Sequence, residues 1–343
     1  MANTRDIKKR IKSIGNTKKI TRAMEMVSAA KMRKAIEAVL RTRSYANLSW
    51  ATVLNLARAN GQDGRPPHPL LDAVSAGSAQ AKRGGVKKVA VVLITSNRGL
   101  CGGFNSVIIK KVLESIRKHS EPHPNPLLRK EREQAGGVSH EFILLGKKGQ
   151  AVYKNFNFPV TADFPKLDYI NEVGEVIPVA RMIIKDYLSG QYDKVMVAYT
   201  DFINAAKQLP RVKQLLPIDI TTADEYLGVV GQDPRLGLNK ELIEEKEKKH
   251  LQSGQFKYEY IFEPSPEEVL NEMLPRLIEI QLFQALLESN ASEQSARRLA
   301  MHQATEAATD MAGELTLSYN KARQAGVTSE IAEISAGANA LAE

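Results

Sequence analysis

The sequence predicts an α/β chain. Its N- and C-terminal helices form a long antiparallel two-helix coiled coil, and a central Rossmann-like α/β domain lies between them. Three observations predict this. Apolar residues recur at helical spacing over both ends, β-branched runs alternate with amphipathic stretches in the middle, and turn-forming residues punctuate only the middle.

The first 58 or so residues read as one helix. Ile7, Ile11 and Ile14 are spaced four then three, as are Ile20, Met24 and Val27, and again Met32, Ile36 and Val39. That is the stripe of a helix packed along another helix. No proline occurs before Pro66, and Gly15 costs only about 1 kcal/mol relative to alanine. Fifty helical residues reach about 75 Å, more than a compact domain of this length needs. Residues 61–85 carry Gly61, Gly64, Pro66, Pro67, Pro69, Gly84 and Gly85 and read as a linker or exposed loop.

In the middle, Val86–Thr95 (VKKVAVVLIT), Glu141–Leu145 (EFILL) and Lys194–Tyr199 (KVMVAY) read as strands. Phe104–His119, Lys148–Asn155 and Asp168–Leu188 read as helices, the last with Pro178 as a kink. This βαβαβ order implies a parallel or mixed sheet covered by helices over 86–262. Glu121–Val138 carries prolines 122, 124 and 126, then a charge run and two glycines, and reads as an exposed insertion within about 120–138. Residues 231–256 hold the charge cluster Glu241–Lys249, and Lys257–Phe262 (KYEYIF) alternates like a strand.

Ser265, Pro266 and Glu268 form a helix start, with Ser265 as N-cap. Helical sequence runs from there to about Ala336. Leu270, Leu274, Leu277, Phe283 and Leu287 supply its early apolar positions, and Met301, Thr305, Ala308, Met311, Leu315 and Tyr319 its later ones. Pro275 and Gly313 are candidate bends. Two terminal helices with matched stripes bury them economically against each other. The C-terminal helix is the longer, so its tip extends past the start of the first.

Composition narrows the chemistry. Aromatics make up 6% of 343 residues, which argues against a large apolar ligand pocket or a base-stacking surface. Cys101 is the single cysteine, so no internal disulfide and no cysteine-rich metal site can form. No run of eighteen apolar residues marks a membrane span, and the basic start reads as mature structure continuous with the first helix. The six histidines show no metal-like clustering. No catalytic residue, cofactor site or metal site is assigned.

The net charge of +9 is uneven: residues 1–43 hold thirteen Lys or Arg against three Asp or Glu, and the remainder is nearly neutral. A basic helix suits nucleic acid, an anionic membrane or an acidic protein. Arg98–Gly103 (RGLCGG) stands between a strand and a helix, where a phosphate loop would sit. It is neither GxGxxG nor a P-loop, and its glycines instead suggest a tight turn with close packing.

Five colinear segments resemble the gamma subunit of F-type ATP synthase: Ile14–Lys34 (IGNTKKITRAMEMVSAAKMRK), Ile94–Asn105 (ITSNRGLCGGFN), Tyr260–Leu270 (YIFEPSPEEVL), Ala291–Arg298 (ASEQSARR) and Tyr319–Ile334 (YNKARQAGVTSEIAEI). The resemblance implies a rotor shaft without an active site or cofactor of its own. One copy would turn inside three alpha and three beta subunits. The epsilon subunit and the membrane c-ring would lie below, at the cytoplasmic face of a bacterial membrane, and no nucleic acid would be bound. It implies contacts to alpha and beta at Met24, Glu293, Gln294, Arg297, Gln324 and Thr328. Met24 matches a position where a lysine disturbs coupling in the family. Small residues Gly326, Ala336, Gly337 and Ala338 would present little side chain to a surrounding sleeve. The regulatory cysteine pair of chloroplast relatives is absent.

Each of these residues also has a plainer reading: Met24 as helix packing, Glu293 and Arg297 as an intrahelical pair, Gln324 and Thr328 as solvated surface. Two other functions compete with the shaft. The alternatives are a nucleic-acid-binding basic coiled-coil protein and an α/β enzyme using the glycine-rich turn.

Overall fold

The computed structural model describes residues 4–62, 68–71, 88–120, 138–166, 172–218, 263 and 265–342. Residues 121–137 of the expected insertion, the Glu241–Lys249 charge cluster, the 257–262 strand and most of 61–85 lie outside them. The chain divides into two compact units: Met1–Lys31 with Arg297–Glu343, and Met32–Ala296.

Two helices dominate. α1 spans Thr4–Gln62 and the C-terminal helix, here α5, spans Pro266–Ala342, 77 residues against 59. The expected cap is present, with the Glu268 amide donating to Ser265 Oγ over 3.2 Å. Glu267 and Glu268 in that first turn complement the helix dipole. α5 runs through Pro275.

In the Met32–Ala296 unit the sheet has five strands in the order β3-β2-β1-β4-β5. They are β1 (Lys88–Ile94), β2 (Ser139–Leu145), β3 (Val160–Phe164), β4 (Lys194–Phe202) and β5 (Gln208–Leu216). β1 to β4 pair in parallel, and β5 joins β4 antiparallel. The helices between them are α2 (Phe104–Ser120), α3 (Ala151–Phe156) and α4 (Ile177–Leu188).

β1 shows how one strand feeds two cores. Val89, Val91 and Leu93 pack with Ile108 and Val112 of α2 and with Val152 of α3. Ala90, Val92 and Ile94 pack on the other face with Ile183 of α4, Leu274 and Leu282 of α5, and Val39 of α1. Side chains alternate across a strand, and a central parallel strand covered on both faces is apolar throughout.

β3 and β5 are two strands beyond the three that the apolar runs predict. β5 contains Pro210, which argues against a central strand, but β5 is an edge, where a missing amide is tolerated. β3 is a five-residue edge between Pro159 and Pro165. Pro178 does not kink a helix begun at 168, because α4 starts at Ile177 with the proline in its first turn. The exposed-loop reading of 61–85 fails at Leu70 and Leu71, which are buried. There the Ile218 amide donates to Leu70 O over 2.8 Å, and Leu71 bridges Ile218.

Candidate functional site

The Met1–Lys31 and Arg297–Glu343 unit pairs α1 and α5 antiparallel. The Thr21 and Thr305 hydroxyls lie 2.8 Å apart, and His302 Nδ1 lies 3.1 Å from Glu25 Oε1, so stepping back along α1 steps forward along α5. By this register Thr4 lies opposite the turn around Ala322, and α5 continues past it. Glu306 Oε1 lies 3.3 Å from His302 Nε2. Both histidine contacts are hydrogen bonds only in the imidazolium, whose two ring nitrogens both donate.

The seam differs from the predicted stripe in its middle. Thr21 and Ser28 are buried, whereas Ile20 and Val27 are 60% and 56% exposed. Met24 is half-buried. Spacing alone favoured the apolar residues, but the helix turns its seam through the threonine and serine instead. Met26, Met311, Leu317, Val327, Ile331 and Ile334 are also exposed. The far end of α5 therefore presents large apolar side chains as well as small ones. Gln324 and Thr328 are exposed there, with the Thr328 hydroxyl donating to Gln324 O over 2.9 Å. Arg297 is buried.

Glu293 and Gln294 lie in the other unit and are buried too. Glu293 Oε2 accepts from Lys166 Nζ at 2.7 Å, with both side chains at least 95% buried. Lys166 follows β3. Its carbonyl accepts from Asn97 Nδ2, its ammonium lies 6.0 Å from the Phe104 ring centroid, and Asn97 Oδ1 accepts from the Lys147 amide. One asparagine after β1 thus ties together the loops after β2 and β3. On the same turn of α5, Ser292 Oγ donates to Thr200 O (3.1 Å) and Ser295 Oγ donates to Ala205 O (2.6 Å). Nothing in the sequence marks Lys166, a single lysine after a proline whose partner is 127 positions away.

Beside this turn, Asp201 pairs with Arg211 at 2.8 Å. Burial pushes the Tyr199 hydroxyl well above its usual range, and the charges of Glu288 and Asp201 add to the rise.

The glycine-rich turn is filled from within. Ser96 and Asn105 share hydrogen bonds, with the Ser96 amide donating to Asn105 Oδ1 (3.0 Å) and Asn105 Nδ2 donating to Cys101 Sγ (3.3 Å). Leu100 and Gly102 take positive φ, 62° and 55°. A Cβ on Gly99 would meet open space, so the turn expectation holds and the close-packing one fails at that glycine. Among the described residues, no group of three or more His, Cys, Asp or Glu is placed to hold a metal, and no helix is long and apolar enough to cross a membrane.

Comparison with known proteins places this architecture. The family model described as ATP synthase matches residues 3–341. An ATP synthase gamma chain of Chloroflexus aurantiacus is 36% identical over 341 residues, covering 99% of each chain. One of Dehalococcoides mccartyi is 38% identical over 342 residues, covering all of both. Among solved structures, a chain of the Euglena gracilis mitochondrial ATP synthase (OSCP/F1/c-ring) superposes with a TM-score of 0.57 at 19% identity, covering 98% of this chain and 94% of that one. A chain of the Tetrahymena thermophila mitochondrial ATP synthase central stalk/c-ring gives 0.51 at 22%, covering 83% and 99%. The structures establish likeness of fold, and the full-length sequence matches establish kinship: the chain belongs to the ATP synthase gamma chain family.

Proposed function

We propose that the chain is the central rotor shaft of a rotary ATP synthase. It would couple proton-driven rotation of a membrane ring to ATP synthesis or hydrolysis on partner subunits, as a subunit with no catalysis of its own. One observation carries this reading: α1 and α5 pair antiparallel within a chain related to gamma chains over its whole length. A helix pair whose outward face carries Ile20, Met26, Val27 and Leu317, each more than half exposed, suits enclosure by a partner.

One copy would stand within three alpha and three beta subunits, with epsilon and the c-ring as further partners, peripheral to the cytoplasmic face of a bacterial membrane. Met24, Glu293, Gln294, Arg297, Gln324 and Thr328 are the proposed alpha and beta contacts. Gln324 and Thr328 are exposed and available as they stand. Glu293, Gln294 and Arg297 are buried within the chain, so they would influence a partner through the helix surface that they hold in place.

The test is co-purification. The chain is expected to come out with three copies each of two larger ATP-binding chains, and to hydrolyse no ATP alone. ATP turnover by the purified chain, or its recovery without such partners, would refute the reading.

A further inference from the structure

A shaft must not slip where it joins its globular part. Apolar burial is non-directional and roughly proportional to area, so the leucines of α5 resist separation from the sheet better than they resist rotation against it. Directional contacts resist rotation. Within the Met32–Ala296 unit they converge on one turn of α5. There Glu293 accepts from Lys166 at 2.7 Å, Ser292 donates to Thr200 O at 3.1 Å, and Ser295 donates to Ala205 O at 2.6 Å while lying 3.3 Å from Gln208 Nε2.

Of these, the ion pair is the most demanding. Both side chains are at least 95% buried, so neither can exchange this contact for water, and breaking it takes the ammonium away from a buried carboxylate. Lys166 is itself anchored. Asn97 holds its carbonyl while also gripping the Lys147 amide, so the ammonium is referred to the ends of β1, β2 and β3 together.

We propose that Lys166 is a positioning residue for coupling. It clamps Glu293, and with it the Ser292–Ser295 turn of α5, at one angle to the sheet, and this latch carries torque between the α/β fold and the helix. The inference rests on the shaft reading above.

The test uses the assembled ATP synthase complex containing this chain in proton-tight vesicles, reading ATP hydrolysis and ATP-driven acidification together. Lys166→Met is expected to hydrolyse ATP at nearly the wild-type rate but to acidify the lumen several-fold less per ATP, with Lys166→Arg close to wild type. A merely structural defect would lower both readouts in proportion. Lys166→Gln can still donate a hydrogen bond to Glu293 but carries no charge, and is expected to show part of the same loss. It carries the test if Lys166→Met does not assemble. Wild-type acidification per ATP in either variant overturns the latch. Failure of the wild-type complex to acidify would instead overturn the shaft reading itself.

Discussion

Thr21 of α1 and Thr305 of α5 meet hydroxyl to hydroxyl, 2.8 Å apart, in the seam of the antiparallel helix pair. Each also lies within hydrogen-bond distance of its own helix backbone, at Lys18 O (3.1 Å) and Met301 O (2.8 Å), so with one proton apiece the two hydroxyls fill two of these three contacts at a time. A matched polar pair in a helix seam fixes register, because a slip leaves hydroxyls facing methyl groups. Thr305→Val is expected to cost about 1 kcal/mol. The double Thr21→Val/Thr305→Val variant should cost less than the two singles added. A double-mutant cycle by urea unfolding checks this, and strict additivity would show that the hydroxyls are independent.

His68 makes stability depend on pH. Its Nδ1 accepts from the Leu70 amide at 3.1 Å, and its Nε2 lies 2.8 Å from Asn271 Oδ1, an arrangement that suits the neutral ring. Burial lowers its pKa below the usual 6.5, against opposing contributions from the Asn271 bond and the Glu267 charge. The unfolded chain therefore takes up the proton first as pH falls. The contribution is complete above about pH 6.5 and is lost as pH drops from there through the lower folded value. Urea midpoints between pH 7.5 and 5 should fall more for wild type than for His68→Gln. Parallel curves would remove His68 as the cause.

The buried ion pair predicts an asymmetry in stability. Lys166→Met leaves the Glu293 carboxylate without its ammonium partner and should destabilise by about 3–5 kcal/mol. Adding Glu293→Leu should recover most of that loss, because paired apolar replacement of a buried ion pair is often neutral. Thermal unfolding of the three proteins decides it. A double variant as unstable as the single would mean that the site cannot repack.

Two glycines should respond in opposite directions. Gly146 has φ +111°, and a Cβ there would stand 2.4 Å from Thr95 O. Thr95 Oγ1 also donates to Gly146 O. Gly146→Ala should cost more than about 2 kcal/mol from backbone strain and clash together. Gly15 lies within α1 with nothing near its missing Cβ, so Gly15→Ala should stabilise by about 0.5–1 kcal/mol. Denaturation midpoints of the two variants on either side of wild type are the expected result.

Met24→Lys separates folding from coupling. Met24 is half-buried, and a lysine stem can lie along the seam with its ammonium in water, so the fold should survive. The new charge can pair with a partner carboxylate and favour one shaft angle. Protons pumped per ATP by the assembled complex should fall while the chain's melting temperature changes little. Unchanged pumping would count against Met24 as a contact.

The helical ends were legible because apolar spacing persists past the few residues that compete with helix, Gly15 in α1 and Pro275 in α5. The first proline is Pro66, and Ser265 caps α5 with local chemistry alone. β1, β2 and β4 were legible from their apolar runs. β3 and β5 were not: β3 has only five residues, and β5, though it has nine, is half wet and carries Pro210, which an edge strand tolerates. At Ile20 and Val27 the apolar spacing misses the seam of α1. A helical period identifies a face only to within a residue, and Thr21 and Ser28 sit one position away.

By itself, then, the sequence determined the two terminal helices, the alternating middle and, through its five colinear segments, the family. Those are properties of neighbouring residues, written in spacing and local chemistry. Only tertiary structure decided that Leu70 and Leu71 are core, that α5 lies among the core side chains on one face of the sheet, and that Glu293 is bound to Lys166. Each of those depends on residues far apart in the chain coming within a few ångströms, and whether a charge is solvated or paired is set by what surrounds it and not by its position in a string.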